Sequence, residues 1–198
     1  MIKIPQQAKA LIFDLDGTIA NTMPSHFKSW RKAVVPYGID FNASLFMQLT
    51  GMPRTATIEK LNEMFGTKMN PEIVGKVKED HFKTLVNLTE EIEVVTDVIR
   101  KYHTILPMSI GTGSTKNGAK KTLEVIGLEN YFDIVITADD IINHKPHPET
   151  FLKCAELMGI KPQDCVVFED GILGMNAAEE AGMMLIDVND YFKIEFKI

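Results

Sequence analysis

The chain has 198 residues, 45% hydrophobic and 24% charged, the balance of a globular protein and not of a disordered one. At about 150 residues per domain it is long for one domain and short for two, so one core carrying a smaller insertion is expected. A formal net charge of −6, from 21 basic and 27 acidic residues, argues against a nucleic acid or an anionic membrane held by bulk charge.

The first ten residues are polar, with Lys3, Gln6, Gln7 and Lys9, and lack the apolar stretch of a signal peptide. No run approaches the roughly 18 apolar residues of a membrane span. Two cysteines, Cys154 and Cys165, make neither a disulfide framework nor a zinc site alone. A soluble cytoplasmic protein, monomeric by default, is expected.

Ala10–Phe13 is a short apolar run that leads into Asp14. The stretch after it, from about 22 to 88, holds no convincing strand. Phe27, Trp30, Ala33 and Val34 fall at helical spacing, as do Ile58, Leu61, Met64 and Phe65, and Val74, Val77, Phe82 and Leu85. Residues 88–98 read as a return linker and the start of a helix. Four more short runs follow: Pro107–Ile110, Ile134–Thr137, Cys165–Phe168 and Met184–Ile186. Each is rich in β-branched or apolar residues and ends in a polar or glycine turn, as buried parallel strands do. Between them, helical patterns around Leu123, Phe151 and Ala178 close at Gly127, Gly159 and Gly182, because glycine past a helix end is a stop signal. Strand–helix alternation predicts an α/β fold, a doubly wound parallel sheet. The predicted division is a core of residues 1–21 and 89–198 with a helical subdomain of residues 22–88 inserted after the first strand.

Ligands of such sheets bind beyond the carboxyl ends of the strands. The first strand ends in Asp14-Leu15-Asp16-Gly17-Thr18. Two carboxylates aimed into one cleft suit a hard cation such as Mg²⁺, with one as nucleophile and its neighbour handling protons. Taken alone, an Asp-x-Asp pair is as readily a solvated turn or a helix cap. The other strand ends add Thr112, Lys145 and the pair Glu169-Asp170. Each has a bland reading by itself. Together they set acid, hydroxyl, cation and acid on successive strand ends.

These four segments, DLDGT at 14–18, IGTGS with Thr112, HKPHPETF with Lys145 and FEDGILG with Glu169 and Asp170, resemble the haloacid dehalogenase superfamily, in its phosphatase and phosphoglucomutase branch. The resemblance covers essentially the whole chain. It implies a Rossmann-like core closed by a four-helix cap. It also implies roles: Asp14 as nucleophile, Asp16 as general acid and base that gives its backbone carbonyl to Mg²⁺, Glu169 and Asp170 at the metal, and Thr112 and Lys145 on the phosphoryl oxygens. A cis Lys145–Pro146 peptide is a further implication. The intact Asp-x-Asp resembles the phosphatases, since dehalogenases do not need the second Asp.

Within the branch, the stretches around HKPHPETF and Pro107–Ser114 resemble bacterial sugar-phosphate phosphatases. β-Phosphoglucomutase shares the catalytic motifs and needs a second phosphate grip. Arg54 in the LTGMPR segment and the stretch Ser114-Thr-Lys116-Asn117, with one residue inserted, resemble that grip, and Gly113 beside them is a further substrate-binding candidate. His26 and Lys78 match cap positions that contact the sugar or tune proton transfer in the mutase. His81, His103, His144 and His147 lack motif support and are read as structural, and Trp30 as core. The expected activity is Mg²⁺-dependent hydrolysis of small sugar phosphates through an aspartyl-phosphate. The alternative is β-phosphoglucomutase, interconverting β-glucose 1-phosphate and glucose 6-phosphate. Receiver domains of signalling systems also place Asp, Thr and Lys on such a sheet, but they lack the insertion and the first-strand Asp-x-Asp.

Overall fold

Residues 2–196 are described in the computed structural model of the chain. Five parallel strands, β1 (Ala10–Phe13), β2 (Met108–Gly111), β3 (Ile134–Ile136), β4 (Cys165–Glu169) and β5 (Met184–Asp187), form one sheet in the order β3-β2-β1-β4-β5. They lie where the apolar runs predict them, displaced by at most a residue at either end. Phe13 is in register with Ile110 on one side and Phe168 on the other. β1 is therefore the central strand, and the connection order reverses around it.

Side-chain alternation explains the three layers. Leu11, Phe13, Val166 and Phe168 face one way and are covered by α5 (Glu93–Tyr102) and α6 (Lys116–Ile126). Ala10, Ile12, Cys165 and Val167 face the other way and are covered by α7 (Glu149–Met158) and α8 (Ile172–Glu180). Each fully buried large apolar side chain contributes roughly 1.5–3 kcal/mol. The stacked Phe13–Phe168 pair, 4.5 Å between ring centroids, adds about 1 kcal/mol. α6 and α7 stop at Gly127 and Gly159, both left-handed with φ of +70° and +69°.

Four helices are inserted between β1 and β2: α1 (Met23–Val34), α2 (Ala43–Leu49), α3 (Arg54–Phe65) and α4 (Pro71–Leu85). They bury their own cluster, which includes Phe27, Trp30, Phe41, Phe46, Ile58, Leu61 and Val74. Three residues expected on inward faces are exposed. Met64 and Phe65 sit on the last turn of α3, which projects past the cluster. Val77 lies off the inward stripe of α4, which carries Val74, Lys78, His81 and Phe82 instead. α2 was not legible from spacing; it is short and starts at Asn42, whose side chain accepts the Leu45 N–H.

The insertion joins the sheet through two paired crossings. Ala20 bridges Glu91 antiparallel, Asn21 N–H donates to the Glu90 carbonyl at 2.9 Å, and Ile92 N–H donates to the Ile19 carbonyl at 2.8 Å. The linker expected over 88–98 therefore ends at Ile92, and α5 begins at Glu93. After β5 a 3₁₀ turn, Val188–Asp190, leads into a tail with no helix or strand over 192–196. Phe192 of this tail packs on the core cluster, while Ile194 and Phe196 pack on the cap cluster. Among the described residues, no helix is long and apolar enough to cross a membrane.

Candidate active site

The loop after β1 is held by the sheet itself. Asp14 N–H donates to the Phe168 carbonyl at 2.9 Å, so the β1–β4 pairing continues into the loop. Gly17, at φ +93°, turns the chain back toward Ala20. A Cβ at Gly17 would overlap the Asp170 carboxylate, and one at Gly174 would overlap that of Glu169. These two glycines leave the room in which Asp14, Glu169 and Asp170 converge. One oxygen from each lies within 4.8 Å of the others, and all three residues are buried. Lys145 Nζ donates to Asp14 Oδ1 at 2.7 Å and to Glu169 Oε1 at 3.4 Å. The Lys145–Pro146 peptide is cis, as the resemblance implies. Thr18 Oγ1 donates to Asp170 Oδ1 at 2.9 Å, and Asn189 Nδ2 donates to the Asp170 carbonyl at 2.7 Å.

Burial dominates the electrostatics of this group. It pushes the carboxyls of Asp14 and Glu169 up, more than Lys145 brings them down. Asp170 is pushed up to about 7, by burial first and the Asp14 charge second. Burial also works against the Lys145 ammonium, but Asp14 and Glu169 outweigh it and its pKa is raised. Three desolvated carboxylates share one lysine, which leaves an excess of buried negative charge. Hard oxygen donors with that excess fit a divalent cation such as Mg²⁺.

Asp16 faces a different set of partners. Its Oδ1 accepts from Thr22 Oγ1 at 2.7 Å and lies 3.4 Å from His26 Nε2, and its Oδ2 accepts from Ser114 Oγ at 2.5 Å. Burial would raise its pKa, but the bonds from His26, Ser114 and Thr22 hold it well below the carboxylate range. Lys78 Nζ is 2.9 Å from His26 Nδ1. A lysine ammonium only donates, so Nδ1 accepts and the His26 proton is assigned to Nε2, facing Asp16. Burial, then the nearby Lys78 charge, lower the His26 pKa. Burial brings Lys78 down to about 8. The imidazole is stacked on Phe82 at 4.1 Å.

Between cap and core is a cavity of about 570 Å³, within the usual range for small-molecule sites. Asp14, Asp16, Thr112, Gly113, Ser114, Asn117, Lys145, Glu169 and Asp170 line it from the core, and His26, Arg54 and Lys78 line it from the cap. Thr112 Oγ1 accepts the Ser114 N–H at 3.0 Å, which leaves its hydroxyl proton for an oxygen in the cavity. Arg54 is ion-paired with Glu79 at 2.7 Å. Lys116 is exposed at the start of α6, its N–H bonded to Asp139, and it is not part of the lining; Lys121, one turn further along, is. His144 also lines the cavity, whereas His81 bonds Ser29 inside the cap. Trp30 serves both as cap core and as cavity wall, beside Phe41, Phe46 and Leu49. Sequence reasoning missed Thr22, Lys121 and Asn189. Thr22 and Lys121 each lay four residues past a recognised segment, at Thr18 and Asn117, while Asn189 lay well beyond the last motif.

The arrangement is a buried carboxylate held by a lysine, beside an acidic group fit for a cation, under a cavity with hydroxyl and cationic donors. A family model for haloacid dehalogenase-like hydrolases matches residues 11–188. Fructose-1-phosphate phosphatase YqaB of Escherichia coli is 38% identical over 178 residues, covering 90% of this chain and 95% of that protein. A phosphorylated carbohydrates phosphatase of Thermotoga maritima is 29% identical, covering 88% of this chain and 82% of that one. Among solved structures, β-phosphoglucomutase from Clostridium difficile superposes with a TM-score of 0.81 at 25% identity, covering 91% of this chain and 84% of the other.

Proposed function

The chain belongs to the haloacid dehalogenase-like hydrolase family, and we propose that it is a Mg²⁺-dependent phosphatase of small phosphorylated sugars. The observation that carries this reading is the Lys145–Asp14 contact of 2.7 Å beside the buried acidic trio, beneath a capped cavity. The Escherichia coli and Thermotoga relatives support the substrate class.

Asp14, Glu169 and Asp170, with the backbone carbonyl of Asp16, would hold Mg²⁺, which supplies charge neutralisation at the transferring phosphoryl group. Lys145 binds Oδ1 of Asp14 and leaves Oδ2 for phosphorus. In the first half, Asp14 forms a bond to phosphorus, the bond from phosphorus to the sugar oxygen breaks, and Asp16 gives that oxygen a proton. In the second half, water attacks phosphorus and Asp16 takes its proton. Inorganic phosphate leaves and the Asp14 carboxylate is restored. Asp16 rests ionised in the free protein, the form the second half requires. The dianionic substrate beside it raises its proton affinity, so Asp16 takes up a proton from solvent as substrate binds and holds it for the first half. Thr112 and Lys145 hold phosphoryl oxygens, so the work is positioning and charge compensation.

A panel of hexose and pentose phosphates with Mg²⁺ tests the proposal through phosphate release. Hydrolysis of at least one sugar phosphate, abolished in Asp14→Asn with the fold retained, is expected. No release across the panel, or full activity in that variant, overturns it. The alternative is the mutase, favoured by Arg54 and Asn117 both lining the cavity. It requires glucose 6-phosphate to form from β-glucose 1-phosphate, stimulated by the bisphosphate. The Arg54–Glu79 ion pair and the outward placement of Lys116 favour hydrolysis.

A further inference from the structure

The tail beyond β5 lies outside the residues matched by the family model, which end at 188. Its sequence alternates: Phe192, Ile194 and Phe196 are half-buried, while Lys193 and Glu195 are exposed. Strict alternation is the pattern of an extended segment with one face buried. That face spans two hydrophobic clusters. Phe192 packs on the cluster under the sheet, and Ile194 and Phe196 pack on the cluster inside the cap. Phe196 meets Phe27 edge-on at 5.3 Å and Phe46 edge-on at 5.6 Å between ring centroids. Both geometries are favoured aromatic pairings. Phe46 belongs to α2 and lines the cavity.

We infer that residues 192–196 form a strap from core to cap that sets the apolar wall of the cavity, with Phe196 as a positioning residue for the part of the substrate that leaves with its oxygen. The inference rests on the cavity being the substrate site. α2 has only seven residues, too few to hold its own place, since helices this short depend on packing. Phe27 backs Phe46 from within the cap at 5.6 Å, and Phe196 braces both from outside. The strap begins next to Asn189, whose side chain holds the Asp170 carbonyl. The 3₁₀ turn that leads into the strap thus touches the acidic loop, and the strap touches the apolar wall. Phe46 lines the cavity from the cap and Asp14 from the core, so a substrate with its phosphate on Asp14 would present its leaving group to the cap wall that includes Phe46. The strap acts on recognition of that group and leaves the Asp14 chemistry alone.

The test uses Phe196→Ala, Phe196→Leu and a chain stopped after Tyr191. Backbone hydrogen exchange is followed in the free protein, and kinetics are measured with fructose 1-phosphate and with acetyl phosphate, whose leaving group is short. In Phe196→Ala and the shortened chain, exchange across Ala43–Leu49 is expected to rise about tenfold, with α7 unchanged. KM for fructose 1-phosphate rises about fivefold or more while kcat holds, acetyl phosphate kinetics hold, and Phe196→Leu recovers most of the loss. Unchanged exchange in α2, or an equal loss with both substrates, overturns the inference. If the unaltered protein hydrolyses neither substrate, the sugar-phosphate arm uses whichever member of the panel it does hydrolyse; no release across that panel fails the proposed function, and the exchange result still decides whether the strap orders α2.

Discussion

Replacing Asp170 with Asn removes a charge that the fold holds at a cost. Asp170 is 6% exposed, and burial and the neighbouring Asp14 push its pKa from 3.8 up to about 7. Asn keeps the shape and can still accept from Thr18. A carboxyl raised in the folded state costs nothing below its unfolded pKa, where both states hold the proton. Between about pH 4 and 7 the unfolded chain ionises first, so stability falls as pH rises. Above 7 the full penalty is present. The gap corresponds to about 4 kcal/mol at 1.36 kcal/mol per pH unit. Urea unfolding in EDTA should therefore show Asp170→Asn more stable than the parent by about 1–2 kcal/mol at pH 5, growing to about 4 kcal/mol at pH 8. With Mg²⁺ at a hundred times its dissociation constant, the parent recovers about 2.7 kcal/mol, and the variant gains little. Equal pH dependence of the two proteins, or equal stabilisation of both by Mg²⁺, would refute the reasoning.

Lys78 gives the opposite sign. Burial lowers it from 10.5 to about 8, so between those values the unfolded chain keeps a proton that the folded one has released, and stability rises with pH. Unfolding measured at pH 8 and pH 10 should show the parent gaining about 2 kcal/mol relative to Lys78→Met; parallel profiles would contradict it. Gly174→Ala puts a Cβ where the buried Glu169 carboxylate sits. A loss of about 2 kcal/mol or more, together with loss of Mg²⁺-induced stabilisation, should appear in thermal melts, and a parent-like melt with normal Mg²⁺ response would count against the crowding argument.

The core was legible because its strands are covered on both faces. A strand in that position is apolar at nearly every residue, the buried Ser109 of β2 being an exception, and runs such as Ala10–Phe13 and Cys165–Phe168 announce themselves. The site was legible because the sheet brings strand ends together whatever lies between them. The cap was harder to read. Val77 fits a helical pattern, yet the inward stripe of α4 passes through Lys78 and Phe82, which line the cavity and not the apolar cluster. Lys116 and Lys121 could not be told apart without the phase of α6. Thr115 caps that helix, which turns Asn117, Gly118 and Lys121 toward the cavity and Lys116 away. The alternation of Phe192, Ile194 and Phe196 is visible in the sequence, but its target lies about 150 positions away in α2 and is set by tertiary packing.

The paired crossings at Ile19–Asn21 and Glu90–Ile92 also have a mechanical consequence. Two hydrogen-bonded strands flex across their face more readily than they twist about each other, because torsion misaligns every N–H···O pair. Such a joint therefore resists twisting of the cap against the core. That resistance helps to hold Arg54 and Lys78 on the cap side of the cavity that Asp14 lines from the core. The shape of the cavity is thus partly a matter of torsional stiffness, supplied by a few backbone groups at the root of the cap.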